Sequence, residues 1–443
     1  MALQILAAPD DPALLVDLPW QTPLERWPAD KLVALPRGIS RHVVRFVRLG
    51  ERVYAVKEVN QELAQKEYRL LRELERRDVP AVDAVAVISG REDTDGTPLD
   101  PALITRHLQY SLPYRALFSQ TLRPDTLNRL LDALAVLLVR LHLSGFFWGD
   151  CSLSNTLFRR DAGAFAAYLV DAETGEMHGS RASTGQRSHD LDLAHTNVFG
   201  ELLDIGAGGM LHPSVDPTTT AHEVVRRYEG LWEELTRAET VAPGDRTRLD
   251  ARIRRLNELG FDVAEMQIQT QEQGSDLVLQ PKVVDAGHHS RRLMRLTGLD
   301  VQENQARRLL NDLDCFRAWV DGQRSRSGSR REAQGDLDEE IVAHRWLTEA
   351  FWPTVQAVPA DIRGRREPAE IFHEVLEHRW YLSEAEGEEV DLVEAARSYA
   401  ENVLAYKTDE KAVLGSRIGT PTRSFDPLLE TAGPEPEATT TAD

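Results

Sequence analysis

Five polar residues carry the chemical content of this sequence: Lys57, Glu67, Asp150, Asn155 and Asp171. In Arg52 to Val59 (RVYAVKEV), strand alternation puts Val53, Ala55, Lys57 and Val59 on one face. Taken alone, Lys57 reads as a lysine whose stem leaves a half-buried strand. The helix that follows changes this. Its apolar stripe is Leu63, Leu70, Leu71 and Leu74, and Glu67 falls in the middle of it, whereas Glu62, Glu73 and Glu75 lie off it. A carboxylate on a buried face is costly unless paired, and Lys57 is the nearest cation. An ammonium held by a carboxylate in this way can orient phosphate oxygens.

Asp150 and Asn155 lie five residues apart in Phe147–Asn155 (FWGDCSLSN), directly after a long leucine-rich segment. On a loop, such a pair can serve as general base and metal ligand, although the spacing alone is common. Thr156–Phe158 and Ala167–Val170 should pair as a hairpin with Gly163 near its tip. In that register Asn155 and Asp171 face each other at the open end, and two oxygen ligands there would suit Mg²⁺. The bland alternative is a polar hairpin mouth whose side chains cap backbone groups.

These residues need elements to hold them. His42–Val47 and Arg52–Val59 read as strands around the turn Leu49-Gly50-Glu51, followed by a helix over Gln61–Arg77 and strands over Val82–Ile88 and Ala102–Thr105. Within Thr126–Ser144 the seven leucines from Leu127 to Leu141 recur at helical spacing, and helical text resumes from about Asp190. Residues 1–36 hold six prolines and read as an irregular lead-in with at most one short helix. Beyond about 240, a helix is expected over Leu249–Leu259. A hairpin around Gln273-Gly274-Ser275 and two arginine-rich helices to about Val320 should follow. Arg324–Gly335 reads as a linker and Asp336–Lys411 as an acidic helical stretch. The Pro/Thr/Glu-rich end, from about Gly415, has the composition of a disordered tail.

Taken in order, these motifs resemble the protein-kinase-like phosphotransferases. The likeness is closer to bacterial lipopolysaccharide and Kdo kinases, RIO kinases and aminoglycoside phosphotransferases than to signalling kinases. Ala55-Val56-Lys57 resembles the V-A-I-K strand, and Lys66–Leu71 (KEYRLL) the C helix of the atypical members. Trp148–Asn155 resembles their H-G-D-x-x-x-x-N loop. Val170-Asp171-Ala172-Glu173 stands where D-F-G would be. Asp190–Ala194 (DLDLA) resembles the start of the helix that anchors the catalytic loop. The resemblance covers roughly residues 36–235. The whole chain also resembles a bacterial family that joins this lobe pair to a C-terminal domain of unknown function.

The resemblance implies an α+β chain: a two-lobed protein-kinase-like domain, then a mainly helical C-terminal domain containing a β-hairpin. The expected boundaries are a lead-in over 1–35, an N-lobe over 36–107, a C-lobe over 108–235, an α/β module over 240–323, an acidic helical region over 336–414 and a tail over 415–443. ATP and Mg²⁺ are the implied cofactors. Lys57, held by Glu67, would orient phosphates, Asn155 and Asp171 would hold Mg²⁺, and Asp150 would accept the acceptor's proton. Ala55 would leave room for adenine, and Thr105, Arg106, His107 and Leu108 would form the hinge. Gly38, Ser40 and Arg41 would line the phosphate loop, which has one glycine instead of three. Trp148-Gly149 replaces His-Arg, and Ala172-Glu173 replaces Phe-Gly. Switching by a phosphorylated loop or a moving Phe is therefore not expected. A non-catalytic nucleotide sensor or scaffold is the competing class, and adenylyl transfer is the third.

Composition narrows the partners. The net charge of −20 argues against a general nucleic-acid or membrane-surface binder. The two cysteines, Cys151 and Cys315, exclude a disulfide framework and suit a reducing cytoplasm. The first residues lack the basic start of a signal peptide, and no apolar run approaches the ~20 residues of a membrane span. The expected partners are a nucleotide and an unidentified acceptor, and nothing in the sequence sets an oligomeric state. His373–His378 (HEVLEH) is not a zinc helix, because its histidines are five apart and cannot share a face. His288 and His289 precede Arg291, Arg292 and Arg295. That cluster reads as a salt-bridged helix surface, with an anion site or a contact to the acidic C-terminal region as alternatives.

Overall fold

The computed structural model describes residues 3–7, 13–33, 35, 42–50, 52–118, 124–179, 181–237, 239–241, 261–262, 265–270, 277–282, 285–326, 338–407 and 409–410. The architecture is α+β: a sheet-based N-terminal lobe, a largely helical second lobe and a mainly helical C-terminal region.

The N-lobe sheet contains β1 (Gln4–Ala7), β2 (Val43–Leu49), β3 (Arg52–Glu58), β4 (Ala84–Ser89) and β5 (Ala102–Arg106). Its order is β1-β4-β5-β3-β2, with every pair antiparallel. Opposed residues share a face, so Val44, Phe46, Ala55, Lys57, Leu103 and Thr105 form one surface. The other surface, with Val47, Val56, Ala86, Ile88 and Ile104, packs under Leu15, Leu18, Trp20, Leu24 and Trp27. The proline-rich lead-in is therefore a lid on the sheet and supplies its edge strand. The helical turn α1 (Ala13–Val16) is part of this lid and contributes Leu15 to it. Arg91, whose side chain is fully buried, fastens it by bonding the carbonyls of Trp20 and Thr22 and the carboxylate of Glu58. Four residues without alternating polarity give no strand signal, and β1 exists because the edge of β4 offers it a ladder.

Helix α2 (Gln61–Arg76) starts where the Asn60 side chain accepts from the Leu63 amide. It buries Ala64, Glu67, Tyr68, Leu70, Leu71 and Leu74, and stops before Pro80. Each leucine so buried contributes about 1.5–3 kcal/mol. The second lobe is built from α3 (Tyr114–Leu117), α4 (Pro124–Leu143), α5 (Thr184–Ala207) and α6 (Pro217–Thr236). Its strands are β6 (Leu112–Pro113), β7 (Phe146–Phe147), β8 (Thr156–Asp161), β9 (Ala164–Leu169) and β10 (Glu176–Met177). One apolar cluster runs from the leucines of α2 through α4 to Val198, Leu202 and Val224.

The β8–β9 register corrects the sequence reading. Thr156 opposes Leu169 and Asp161 opposes Ala164, so Asn155 lies across from Val170 and not Asp171. The reason is the turn. Ala162 and Gly163 both take positive φ, at 51° and 83°, and a two-residue turn of this kind shifts the pairing by one.

The C-terminal region holds the strands β11 (Glu239–Val241), β12 (Phe261–Asp262), β13 (Glu265–Thr270), β14 (Leu277–Lys282) and β15 (Asp285–Ala286). Its helices are α7 (His288–Thr297), α8 (Glu303–Arg326), α9 (Glu339–Trp346), α10 (Trp352–Ala357), α11 (Ala360–Arg363), α12 (Pro368–Glu386) and α13 (Leu392–Asn402). Leu309, Leu313, Trp346 and Phe372 centre one cluster, and Ile371, Val375 and Tyr399 a second. Helix α8 runs through Arg326, so the expected linker starts later than Arg324. The expected Leu249–Leu259 helix, the Gln273-Gly274-Ser275 turn and the tail from Gly415 lie outside the described residues.

Candidate active site

A cleft of about 720 Å³ opens between the two lobes. Its roof is the sheet face carrying Val44, Phe46, Ala55, Leu103 and Thr105, a mostly apolar slot in which Ala55 is the smallest side chain. Its floor carries Asp150, Asn155, Val170, Asp171 and Glu173.

Lys57 joins roof to floor. Its Nζ donates to Glu67 Oε2 at 3.0 Å, Asp171 Oδ2 at 2.9 Å and Glu173 Oε2 at 2.9 Å. Glu67 is 1% exposed, and its other oxygen faces the Ala172 amide at 3.5 Å. Glu173 also meets His42 Nε2 at 2.9 Å, and its carbonyl accepts from Lys66 Nζ at 3.1 Å. Three carboxylates on one ammonium leave negative charge in excess. Burial alone would lower the Lys57 pKa, but Glu67 and Asp171 raise it overall. Burial, reinforced by the charge of Asp171, pushes Glu67 up to about 8 despite the neighbouring lysine.

The loop from Trp148 to Asn155 is held by one face of α5. Asp190 accepts from the Trp148 amide at 2.8 Å, the Gly149 amide at 2.7 Å and His142 Nε2 at 3.0 Å. Asn197 donates to the Cys151 carbonyl at 2.9 Å and reaches Asp150 Oδ1 at 3.4 Å. Glu201 accepts from the Leu153 and Ser154 amides at 2.7 and 2.9 Å. Gly149 has φ +73°, and a Cβ there would meet the Thr174 carbonyl at 3.3 Å, so glycine suits this position. Asn155 Nδ2 donates to Asp150 Oδ2 at 3.1 Å, which leaves its carbonyl oxygen as the atom able to ligate a cation. Cys151 is buried, and burial with Asp190 and Asp150 nearby raises its thiol pKa. It is therefore no nucleophile.

The remaining candidates fall in different places. Ala55 and Thr105 line the cleft with Lys57, Glu67, Asp150, Asn155 and Asp171. Arg106 turns away to Asp83 at 3.0 Å. His107 packs edge-on against Phe46, and burial pushes its pKa down to about 4. Leu108 lines a separate cavity and not the cleft. Gly38, Ser40 and Arg41 lie outside the described residues. Sequence reasoning missed Asn197 and Glu201, and it gave Glu173 and His42 no role of their own. A signal for the first two existed. Asp190, Asn197 and Glu201 are spaced i, i+7, i+11, which is one helix face.

Outside the cleft, His289 bonds Glu303 at 2.6 Å, Arg291 pairs with Asp78 at 2.9 Å and Arg292 with Glu339 at 2.5 Å. The basic cluster is a salt-bridged surface, and Arg292 also reaches the acidic C-terminal stretch. His373 pairs with Glu377 at 3.3 Å and His378 with Ser398 at 3.0 Å, so the two serve separate contacts. Among the described residues, Glu67, Asp171 and Glu173 are the one group of three side chains placed to hold a metal. No helix among them is long and apolar enough to cross a membrane.

The two lobes, the lysine–glutamate pair and the anchored loop together have the arrangement of a kinase-like fold. Residues 47–199 match the lipopolysaccharide kinase (Kdo/WaaP) family, which supports a kinase-like phosphotransferase. Residues 230–404 match a domain of unknown function (DUF4032). A solved structure described as WaaP in complex with acyl carrier protein aligns with 58% of this chain and 99% of its own, at 18% identity and a TM-score of 0.35. No curated protein matches.

Glu67→Gln tests the pair directly. A neutral amide holds Lys57 less firmly, and if the chain transfers phosphate, as proposed below, the rate should fall about tenfold, equivalent to ~1.4 kcal/mol. Glu62→Gln, exposed on the same helix, should leave the rate unchanged.

Proposed function

We propose that this chain is an ATP- and Mg²⁺-dependent phosphotransferase acting on a hydroxyl acceptor, on a small molecule, a glycan or lipid, or a specialised protein. The observation that carries the reading is the meeting of Lys57, Glu67 and Asp171 within 3.0 Å, in one cleft with Asp150 and Asn155. The donor set fits the cofactors. The apolar slot suits adenine, the lysine suits phosphate oxygens, and Asn155 with Asp171 offers hard oxygen ligands.

In this reading Mg²⁺ supplies neutralisation of phosphate charge. Lys57 would exchange Glu173 for the nucleotide's phosphate oxygens, with Glu67 keeping its Nζ in line. Asp150 orients the acceptor hydroxyl and takes its proton on a carboxylate oxygen. Asn197 limits the rotation of that carboxylate, and α5 fixes the backbone on either side of it.

A second reading, the non-catalytic sensor, has one observation in its favour: Glu173 occupies Lys57, so a nucleotide must displace it. Incubation with γ- and α-labelled ATP, with and without Mg²⁺, separates the readings. Transfer of γ label alone supports the kinase, α label supports adenylyl transfer, and neither supports the sensor. Asp171→Ala should abolish Mg²⁺-dependent nucleotide binding while the fold survives, because Asp171 is about one-third exposed and not a core prop. Equal Mg·ATP affinity by calorimetry would remove Asp171 from the site.

A further inference from the structure

We propose that the C-terminal domain of unknown function serves as an intramolecular brace for the β8–β9 hairpin, and through it for the metal-binding end of the cleft. The hairpin carries Asn155 and Val170-Asp171 at its mouth and Ala162-Gly163 at its tip. Strand β9 packs against α4, and Phe158, Phe165, Ala167 and Leu169 join the core of the lobe, but β6 pairs only with Leu157 and Phe158, so the sheet does not extend to the tip.

The tip is held by four consecutive residues, each with its own C-terminal partner. Arg159 pairs with Glu367 at 2.6 Å and Arg160 with Glu410 at 2.5 Å. Asp161, 3% exposed, accepts from the Gln305 amide at 2.8 Å, the Asn304 amide at 3.2 Å and Asn304 Nδ2 at 3.0 Å. The Ala162 amide donates to Glu370 at 3.1 Å. Asn304 and Gln305 open α8. Asp161 therefore caps a helix 143 residues further along the chain and places negative charge at its positive end. Glu370 lies in the first turn of α12, and Gln305 ties it to the same tip at 2.8 Å. Two helix N-termini thus converge on the hairpin. A solvated docking surface would not bury Asp161, Gln305, Glu370 and Glu410 together. The arrangement is that of a permanent clasp. Because the strands between tip and mouth are a continuous ladder, holding the tip in register also holds the mouth.

The test works from the far side of the contact. Asn304→Asp keeps a residue favoured at a helix start but sets a carboxylate against the buried Asp161. Asp161→Ala removes the cap from the hairpin side. Hydrogen exchange is read at the Val170 amide, which bonds the Asn155 carbonyl at 3.0 Å. Both variants should exchange about tenfold faster there than wild type. Arg345→Ala, which removes a surface pair with Glu349, should not change it. Mg·ADP affinity should fall in parallel in the two clasp variants. That second readout rests on the phosphotransferase reading, whereas the exchange measurement, made without ligand, does not. If exchange quickens at the first turn of α8 while Val170 stays within about twofold of wild type, the brace is overturned. The domain would then merely rest on the hairpin.

Discussion

Asp150→Asn should bind Mg·ATP nearly as wild type does and transfer phosphate about 10²–10⁴-fold more slowly. The substitution keeps the shape of the side chain and one of its two acceptor oxygens, enough for the shorter contact from Asn155 while the longer one from Asn197 is given up, and it changes no other group on the nucleotide side of the cleft. What is lost is the oxygen proposed to take the acceptor's proton. Calorimetry with Mg·ATP and label transfer from γ-labelled ATP measure the two halves separately. Loss of both would mean that Asp150 helps bind the nucleotide. Full activity would mean that proton transfer at Asp150 is dispensable, and the sensor reading would gain. In cells the variant should fail to restore a deletion phenotype, and full complementation would carry the same message.

Asp190→Ala should lower stability by about 3–5 kcal/mol, the usual loss when one partner of a buried charged contact is removed. Asp190 and His142 are both fully buried. Truncation leaves His142 Nε2 and the Trp148 and Gly149 amides without their acceptor, and an unpaired buried donor costs about 1–3 kcal/mol. The melting temperature should fall by roughly 10 °C, and Asp192→Ala, exposed on the same helix, should shift it little. An unchanged melting temperature in the first variant would show that the loop does not depend on α5. The Trp148–Asn155 loop and the core of the second lobe thus share an anchor, which links Asp150 to the stability of the whole lobe.

Much of this site was legible in the sequence because its parts are local. Lys57 and Glu67 sit on a strand and the next helix, and the two periodicities alone aim them at each other. Asp150 and Asn155 lie on one short loop. The C-terminal helices could be read from spacing, since amphipathic periodicity depends only on neighbours within two turns.

Other features were decided by packing between distant segments. Glu173 reaches Lys57 across 116 residues, and no local pattern tells a carboxylate that answers a lysine from one that faces water. The hairpin register was off by one because a two-residue turn replaced a centred one, a choice made by backbone dihedrals at Ala162 and Gly163. The polar stripe Asp190, Asn197, Glu201 was periodic in the sequence, but its meaning depends on which loop lies against it. Strand β1 and the Asp161 cap on α8 exist because an unpaired edge and two unpaired amides elsewhere in the chain needed partners. Backbone groups left open by one segment must be closed by another once water is excluded. The sequence by itself determined which residues could do the chemistry and which elements carry them. Only the tertiary structure decided which buried donors and acceptors meet, because that choice is made by desolvation and not by spacing.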